Sequence, residues 1–338
     1  MTRSPLLLSA LLVAGCATAP TAPDTSDTPD ADTPTADWAL VIHGGAGNIP
    51  EAERAPERWA LYEAALDAAM DAGTAVLEGG GESVDAVEAA IVVLEDSPLF
   101  NAGRGAVFTN TETNELDASV MVGDDRDAGA VAGVTRTKNP IRLARAVMER
   151  SPHVMMAGEG ADTFSREQGL EQVEPDWFRT ERRLQSLRRV QARANAGALY
   201  NARFGTVGAV ARDMSGTLAA GTSTGGMTNK RWGRVGDAPI IGAGTYADNA
   251  SCAVSATGHG EYFIRAGVAR TVCARMELAG ETLQQAADAV VMEELVGMGG
   301  DGGIIAVDPQ GRMAWSHNSP TMYRASQSAT RSREIGVD

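Results

Sequence analysis

Apolar residues fill positions 38–43 and stop at a glycine cluster at 44–47, the pattern of a buried strand that ends in a tight turn. From about 57 to 78 apolar positions recur at helical spacing, and three glycines at 79–81 close the run. A second helix is expected over 84–96, with Ser83 as N-cap, Asp85 in the first turn and Pro98 as the stop. Short strand-like runs follow the glycine-punctuated loop 101–105, at 116–122 and 128–134. Asn139-Pro140 then opens a helix through Met148, with proline at the first helical position.

Positions 175–200 break this texture, with many arginines among few large apolar side chains. Such a stretch reads as a solvated helix, or, from its place before the next feature, as a mobile, protease-sensitive linker. From Gly205 the pattern turns to β: 206–212 and 217–223 around a turn at 213–216, then 238–243 and 252–257. Helices are expected at about 261–278, ending at Gly280, and at 282–296. A hairpin of 303–308 and 312–317 follows, and the polar stretch after Tyr323 is expected outside the core. Strand blocks flanked by helices in this order give an α+β layered fold without internal repeats.

Composition narrows the partners. The chain has 338 residues, 43% hydrophobic, enough for one large folded unit. Its formal net charge is -15, and Lys138 and Lys230 are its only lysines, which argues against nucleic acid. The N-terminus has a short basic start, an apolar run at 6–14 and then Val13-Ala14-Gly15-Cys16. That run is too short to span a bilayer, and small residues before a cysteine resemble a bacterial lipobox; a plain secretory signal is the alternative. On this reading residues 1–15 are a signal peptide and Cys16 is lipidated. The Thr-, Pro- and Asp-rich stretch 16–37 is then a tether, and the anchor is the only membrane contact. Ala17 after Cys16 points to the periplasmic side of the outer membrane, by the same resemblance.

Cys252 and Cys273 could pair in an oxidising compartment, but two buried free thiols are expected, neither having Cys or His at metal spacing. His43, His153, His259 and His317 are scattered, and neither a zinc site nor a Ser-His-Asp order follows from them.

Thr206 opens a strand-like run in Phe204-Gly205-Thr206-Val207-Gly208, and alone it would be an ordinary strand residue. Around it stand His-Gly-Gly-Ala-Gly at 43–47, Pro-Leu-Phe-Asn-Ala-Gly-Arg-Gly at 98–105 and Thr-Ser-Thr-Gly-Gly-Met-Thr-Asn-Lys at 222–230. Gly-Arg-Val-Gly-Asp at 233–237 and Ala-Thr-Gly-His-Gly-Glu at 256–261 complete the set. In this order the motifs resemble the plant-type asparaginase/isoaspartyl peptidase family, from Trp38 to about Tyr323.

The resemblance implies a four-layer αββα sandwich of the N-terminal nucleophile hydrolase type. It implies self-cleavage between Gly205 and Thr206, giving an alpha subunit 38–205, whose end from about 175 is the linker, and a beta subunit 206–338. Thr206 would then be the nucleophile, with its freed α-amine as base, and Thr224 would orient it. The Thr257 hydroxyl and the Gly258 N–H would form the oxyanion hole, Gly258 also lining the substrate site. Arg234 and Asp237 would clamp a substrate α-carboxylate and α-ammonium, with Asn101 facing the site. Main-chain carbonyls of Leu94, Glu95, Ser97, Phe100, Ala102 and Arg104 would surround a structural sodium ion, and no cofactor takes part in the chemistry. His259 occupies a variable position and is expected to face the leaving group.

The expected activity is hydrolysis of β-aspartyl dipeptides and L-asparagine by a dimer of cleaved heterodimers. Met227-Thr228-Asn229-Lys230 leans away from the related glycosylasparaginases. An amino-acid-binding lipoprotein without catalysis is the alternative of a different class.

Overall fold

A computed structural model describes residues 36–47, 55–195 and 205–336 of the chain. Cys16 and the expected leader lie outside the described residues, as does most of the expected tether. Ala36, expected within that tether, is already buried and donates its N–H to the Gln310 carbonyl at 3.1 Å.

The first sheet has eight strands in the order β12-β11-β1-β5-β6-β2-β3-β4. These are β1 (Ala39–Gly47), β2 (Leu116–Val122), β3 (Ala128–Val134), β4 (Met155–Ala157), β5 (Val207–Arg212), β6 (Leu218–Thr224), β11 (Thr321–Ser328) and β12 (Glu334–Gly336). All neighbours run antiparallel except β3 and β4. The second sheet is antiparallel, β10-β9-β8-β7, from β7 (Thr245–Asp248), β8 (Cys252–Gly258), β9 (Gly302–Val307) and β10 (Met313–His317).

Helices α1 (Pro56–Glu78), α2 (Ser83–Asp96) and α3 (Pro140–Arg150) cover the outer face of the first sheet. Helix α4 (Gly158–Glu167) packs beside β3 and β4, and α5 (Glu181–Asn195) follows it. The second sheet is covered by α6 (Gly260–Ala266), α7 (Val268–Ala279) and α8 (Leu283–Asp288), the last continuing through a π turn into α9 (Val296–Met298). The architecture is the expected layered α+β sandwich.

The alternation within β1 shows why its strands read as continuous apolar runs. Leu40 and Ile42 enter the core beneath α1 and α2, while Ala39 and Val41 enter the core between the sheets. With both faces buried, a strand loses the apolar/polar alternation of an exposed sheet.

Several expectations need correction. Residues 238–243 are turns rather than a strand, because Pro239 and the left-handed Gly242 (φ 91°) interrupt them. The single helix expected at 261–278 is broken at Gly267, whose φ of 56° ends one helix and begins the next. Ser83 is not an N-cap; it is the first helical residue, and its N–H donates instead to the Asp213 carboxylate at 2.9 Å. The stretch after Tyr323 lies inside the core: β11 pairs with β1 along its length, and Ala325 is buried. Cys252 and Cys273 are not free thiols but form a disulfide tying the start of β8 to α7.

Residues 175–195, expected as a mobile linker, hold a 3-10 turn and α5. Leu184 and Leu187 cluster with Phe108, and Arg182 donates to the carbonyls of Pro98, at 3.1 Å, and Leu99, at 2.5 Å.

Candidate active site

The motif residues meet where β5 begins and β6 and β8 end. The Thr206 hydroxyl donates to the Thr224 hydroxyl at 3.0 Å, and the latter also accepts the Gly226 N–H at 3.0 Å. On the other side of the Gly205–Thr206 peptide, the Gly205 carbonyl accepts the Asn101 N–H at 3.0 Å. Asn101 is itself fixed, since its amide donates to the Gly226 carbonyl at 2.7 Å and accepts the Val107 N–H at 2.9 Å. Thus Gly205, Thr206, Thr224 and Asn101 come together.

The glycine run of β1 brings the next group close. Gly45 has φ 109°, and a Cβ there would lie 2.5 Å from the Gly205 Cα, so no other residue fits without movement. The next residue, Ala46, donates its N–H to the Thr257 hydroxyl at 3.3 Å. That hydroxyl accepts from Ala46 and keeps its own proton for another acceptor.

His43 was not singled out by its sequence context, yet it holds Thr206. Its Nδ1 lies 3.0 Å from the Thr206 carbonyl, which can only accept, so Nδ1 carries the proton. Nε2 then accepts from Ser255 Oγ at 3.0 Å. Burial pushes the imidazole down to about 3, only partly opposed by the bond to Thr206, so the ring is neutral at ordinary pH. The ring fits because position 208 is glycine; a Cβ there would stand 2.4 Å from Nε2. The chain of hydroxyls continues from Ser255 to Thr222 at 2.7 Å, Thr245 at 2.6 Å and Ser119 at 2.7 Å. It ends on the Ala238 carbonyl at 2.6 Å, so every hydroxyl of this chain has a partner.

Arg234 and Asp237 lie on either side of Gly260. A Cβ on Gly260 would be 2.9 Å from Arg234 Nη2 and 2.8 Å from Asp237 Oδ1. One oxygen of the buried Asp237, Oδ2, has no hydrogen-bond partner, and burial raises its carboxyl to about 7 despite the Arg234 charge. An unpartnered carboxylate oxygen beside a guanidinium suits an ammonium group. Arg234 Nη1 is 3.6 Å from where a Gly226 Cβ would be, which connects the pair to Thr224.

The loop 94–104 offers oxygen donors suited to a hard cation. Gly103 (φ 47°) folds back until a Cβ would lie 2.4 Å from the Glu95 carbonyl oxygen, and the Phe100 carbonyl is crowded the same way by Gly105. Among the described residues no group of three or more His, Cys, Asp and Glu side chains could hold a metal, so main-chain oxygens are the donors on offer. The Glu95 side chain turns elsewhere, accepting from Ser223 at 2.6 Å and from the Ile141 N–H at 3.1 Å.

A family model described as asparaginase matches residues 36–337. The chain belongs to the asparaginase family. An isoaspartyl peptidase of Escherichia coli is 50% identical over 295 residues, covering 85% of this chain and 91% of that protein. One of Salmonella typhimurium is 51% identical over 293 residues, with 85% and 94% covered. The mouse isoaspartyl peptidase/L-asparaginase is 42% identical over 285 residues, with 84% and 86% covered. The asparaginase-family fold and the recognised motifs thus extend over nearly the whole described chain.

These relatives overturn the expected placement in the cell envelope. They come from bacteria, an amoeba, a plant and animals, and carry the names of peptidases and asparaginases, not of lipoproteins. The match to this asparaginase begins at residue 36, beyond Cys16. The non-catalytic binding lipoprotein falls with it.

Proposed function

We propose that this asparaginase-family chain hydrolyses β-aspartyl dipeptides and L-asparagine with Thr206 as an N-terminal nucleophile that it releases by cutting itself. The observation that carries this reading is the Gly205–Thr206 peptide, with its carbonyl on the Asn101 N–H and the Thr206 hydroxyl on Thr224.

In the first reaction Thr206 Oγ attacks the Gly205 carbonyl carbon, and the Asn101 N–H steadies the charge on the carbonyl oxygen. The peptide nitrogen leaves as the Thr206 amine, and water opens the resulting ester to free the Gly205 carboxylate. In the second reaction that amine, with a pKa near ~8, takes the hydroxyl proton. Oγ attacks the side-chain carbonyl of the substrate, and the Thr257 hydroxyl and Gly258 N–H receive the oxyanion. The amine returns its proton to the departing ammonia or amino acid, then activates the water that releases aspartate. Arg234 would bind the α-carboxylate and Asp237 the α-ammonium.

The division into an alpha subunit 38–205 and a beta subunit 206–338 follows from the same cut. The carbonyls of Leu94, Glu95, Ser97, Phe100, Ala102 and Arg104 would hold a sodium ion whose part is to stiffen the loop presenting Asn101. The active form would be a dimer of cleaved heterodimers.

The test is direct. Purified protein should run as two chains, the smaller beginning at Thr206, and turn over β-aspartyl-leucine faster than L-asparagine or glycosylasparagine. Thr206→Ala should remain one chain and inactive. A different new N-terminus, or turnover by the uncut chain, would sink the assignment.

A further inference from the structure

Arg234 stands on a glycine-rich loop. Gly233 and Gly236 flank it without side chains, and Gly233 is left-handed at φ 69°. What fixes the guanidinium is Glu261, in the first turn of α6. Nε donates to Glu261 Oε1 and Nη2 to Oε2, both at 2.9 Å, a flat fork-to-fork pair. Burial alone would raise the Glu261 carboxyl, but the hydrogen bond and charge of Arg234 outweigh it and hold the group below its usual range. His259 Nε2 also approaches this carboxylate, at 3.3 Å from Oε2.

A guanidinium has five N–H groups, and Glu261 uses only those of the Nε–Nη2 edge. The Nη1 side is turned towards Gly226 and hence Thr224. We propose that Glu261 is a positioning residue for the Arg234 clamp, gripping one edge of the guanidinium so that the other meets the α-carboxylate of a β-aspartyl substrate. The inference rests on the clamp reading above and adds its specificity determinant. Without Glu261 the long Arg234 side chain keeps its charge but must be ordered by each incoming substrate, which weakens binding. Glu261 also offsets the arginine charge, so with Asp237 ionised the site favours a zwitterionic head group over a bare dicarboxylate.

Kinetics of cleaved Glu261→Ala, Glu261→Gln, Arg234→Ala and the double variant Glu261→Ala/Arg234→Ala on β-aspartyl-leucine test this. Glu261→Ala should raise KM about tenfold, the cost of ordering one long side chain, and change kcat by less than about twofold. Glu261→Gln, with one acceptor oxygen, should fall between it and wild type. The double variant should be no worse than Arg234→Ala, because the two residues act as one unit. An unchanged or lowered KM in Glu261→Ala, or additive losses in the double variant, would overturn the proposal. If Arg234→Ala alone had no effect on KM, the clamp itself would be wrong; a loss there beside an inert Glu261→Ala removes only Glu261.

Discussion

The imidazole of His43 donates to the main-chain carbonyl of Thr206 at 3.0 Å, across 163 residues of sequence. The bond fixes the backbone of the residue whose hydroxyl and nitrogen both react in the proposed mechanism. Because the ring is buried and neutral, it acts through geometry and not as a proton carrier.

Replacing His43 by leucine should therefore take the imidazole donor from the Thr206 carbonyl, leave Ser255 with Thr222 alone, and slow hydrolysis roughly a hundredfold, the scale of small misplacements at a reacting centre. His43→Asn can return a side-chain N–H near the Nδ1 position and should recover part of that loss. Single-turnover rates of the two variants decide it; equal impairment would mean that the Nδ1 bond does not position Thr206.

Asp237 gives a pH dependence with a definite sign. Burial raises its carboxyl to about 7, so it is protonated below that pH and cannot pair with an ammonium group. Affinity for L-aspartate should increase with pH by up to about tenfold per unit below 7 and level off above it. Calorimetric titration from pH 5.5 to 8 would measure this, and Asp237→Asn should remove the slope. A flat profile in wild type would contradict the role given to Asp237.

Helix α5 should affect cutting more than catalysis. Arg182 donates to the Pro98 and Leu99 carbonyls, and Arg183 Nε to the Gly105 carbonyl at 2.6 Å, bracing the loop that presents Asn101 to Gly205. Arg182→Ala with Arg183→Ala should slow precursor cleavage roughly three- to tenfold, a typical cost for charge-assisted bonds that are partly exposed. Time courses on gels of freshly made precursor, followed by kcat of the cut fraction, separate the two effects. Normal cleavage with reduced kcat would be the opposite of the expected result.

The Cys252–Cys273 disulfide closes a separation of 21 residues, for which chain entropy gives about 3 kcal/mol. Cys252→Ala with Cys273→Ala should lower Tm by several degrees in scanning calorimetry. Active-site titration should still count a full complement of sites, since Thr257 is at the opposite end of β8. An unchanged Tm would show that the bridge adds no stability.

Much of this molecule was legible locally. Continuous apolar runs marked β1, β5, β6 and β8, and periodic ones marked α1 and α2, because burial on both faces or one leaves a pattern within a few residues. The motif set also marked Thr206, Thr224 and Arg234. What escaped notice depends on distant partners. Arg324 and Ser326 look like surface residues until β11 is seen paired to β1, and Ser83 looks like a cap until Asp213 arrives from another hairpin. His43 sat in a recognised motif, but its partners Thr206 and Ser255 lie 163 and 212 residues away, beyond any spacing rule. Gly267 alone carried a local sign, a glycine within a helical pattern, that the helix would break there.

The strand order of the larger sheet makes the proposed cut a one-way event. Reading β12-β11-β1-β5-β6-β2-β3-β4 by origin, two strands from after Thr206 are followed by one from before it, then two from after and three from before. The two pieces are therefore laced together by backbone ladders at three seams, β11 with β1, β1 with β5 and β6 with β2. Neither piece holds the whole of the larger sheet, so the cut enzyme should not shed a subunit on dilution. Once denatured, though, it must reassemble from two molecules where the newborn chain needed only one, and recovery should depend on concentration. The protein would thus be able to fold efficiently once in its life, as a precursor, and then work as a machine that cannot readily be rebuilt.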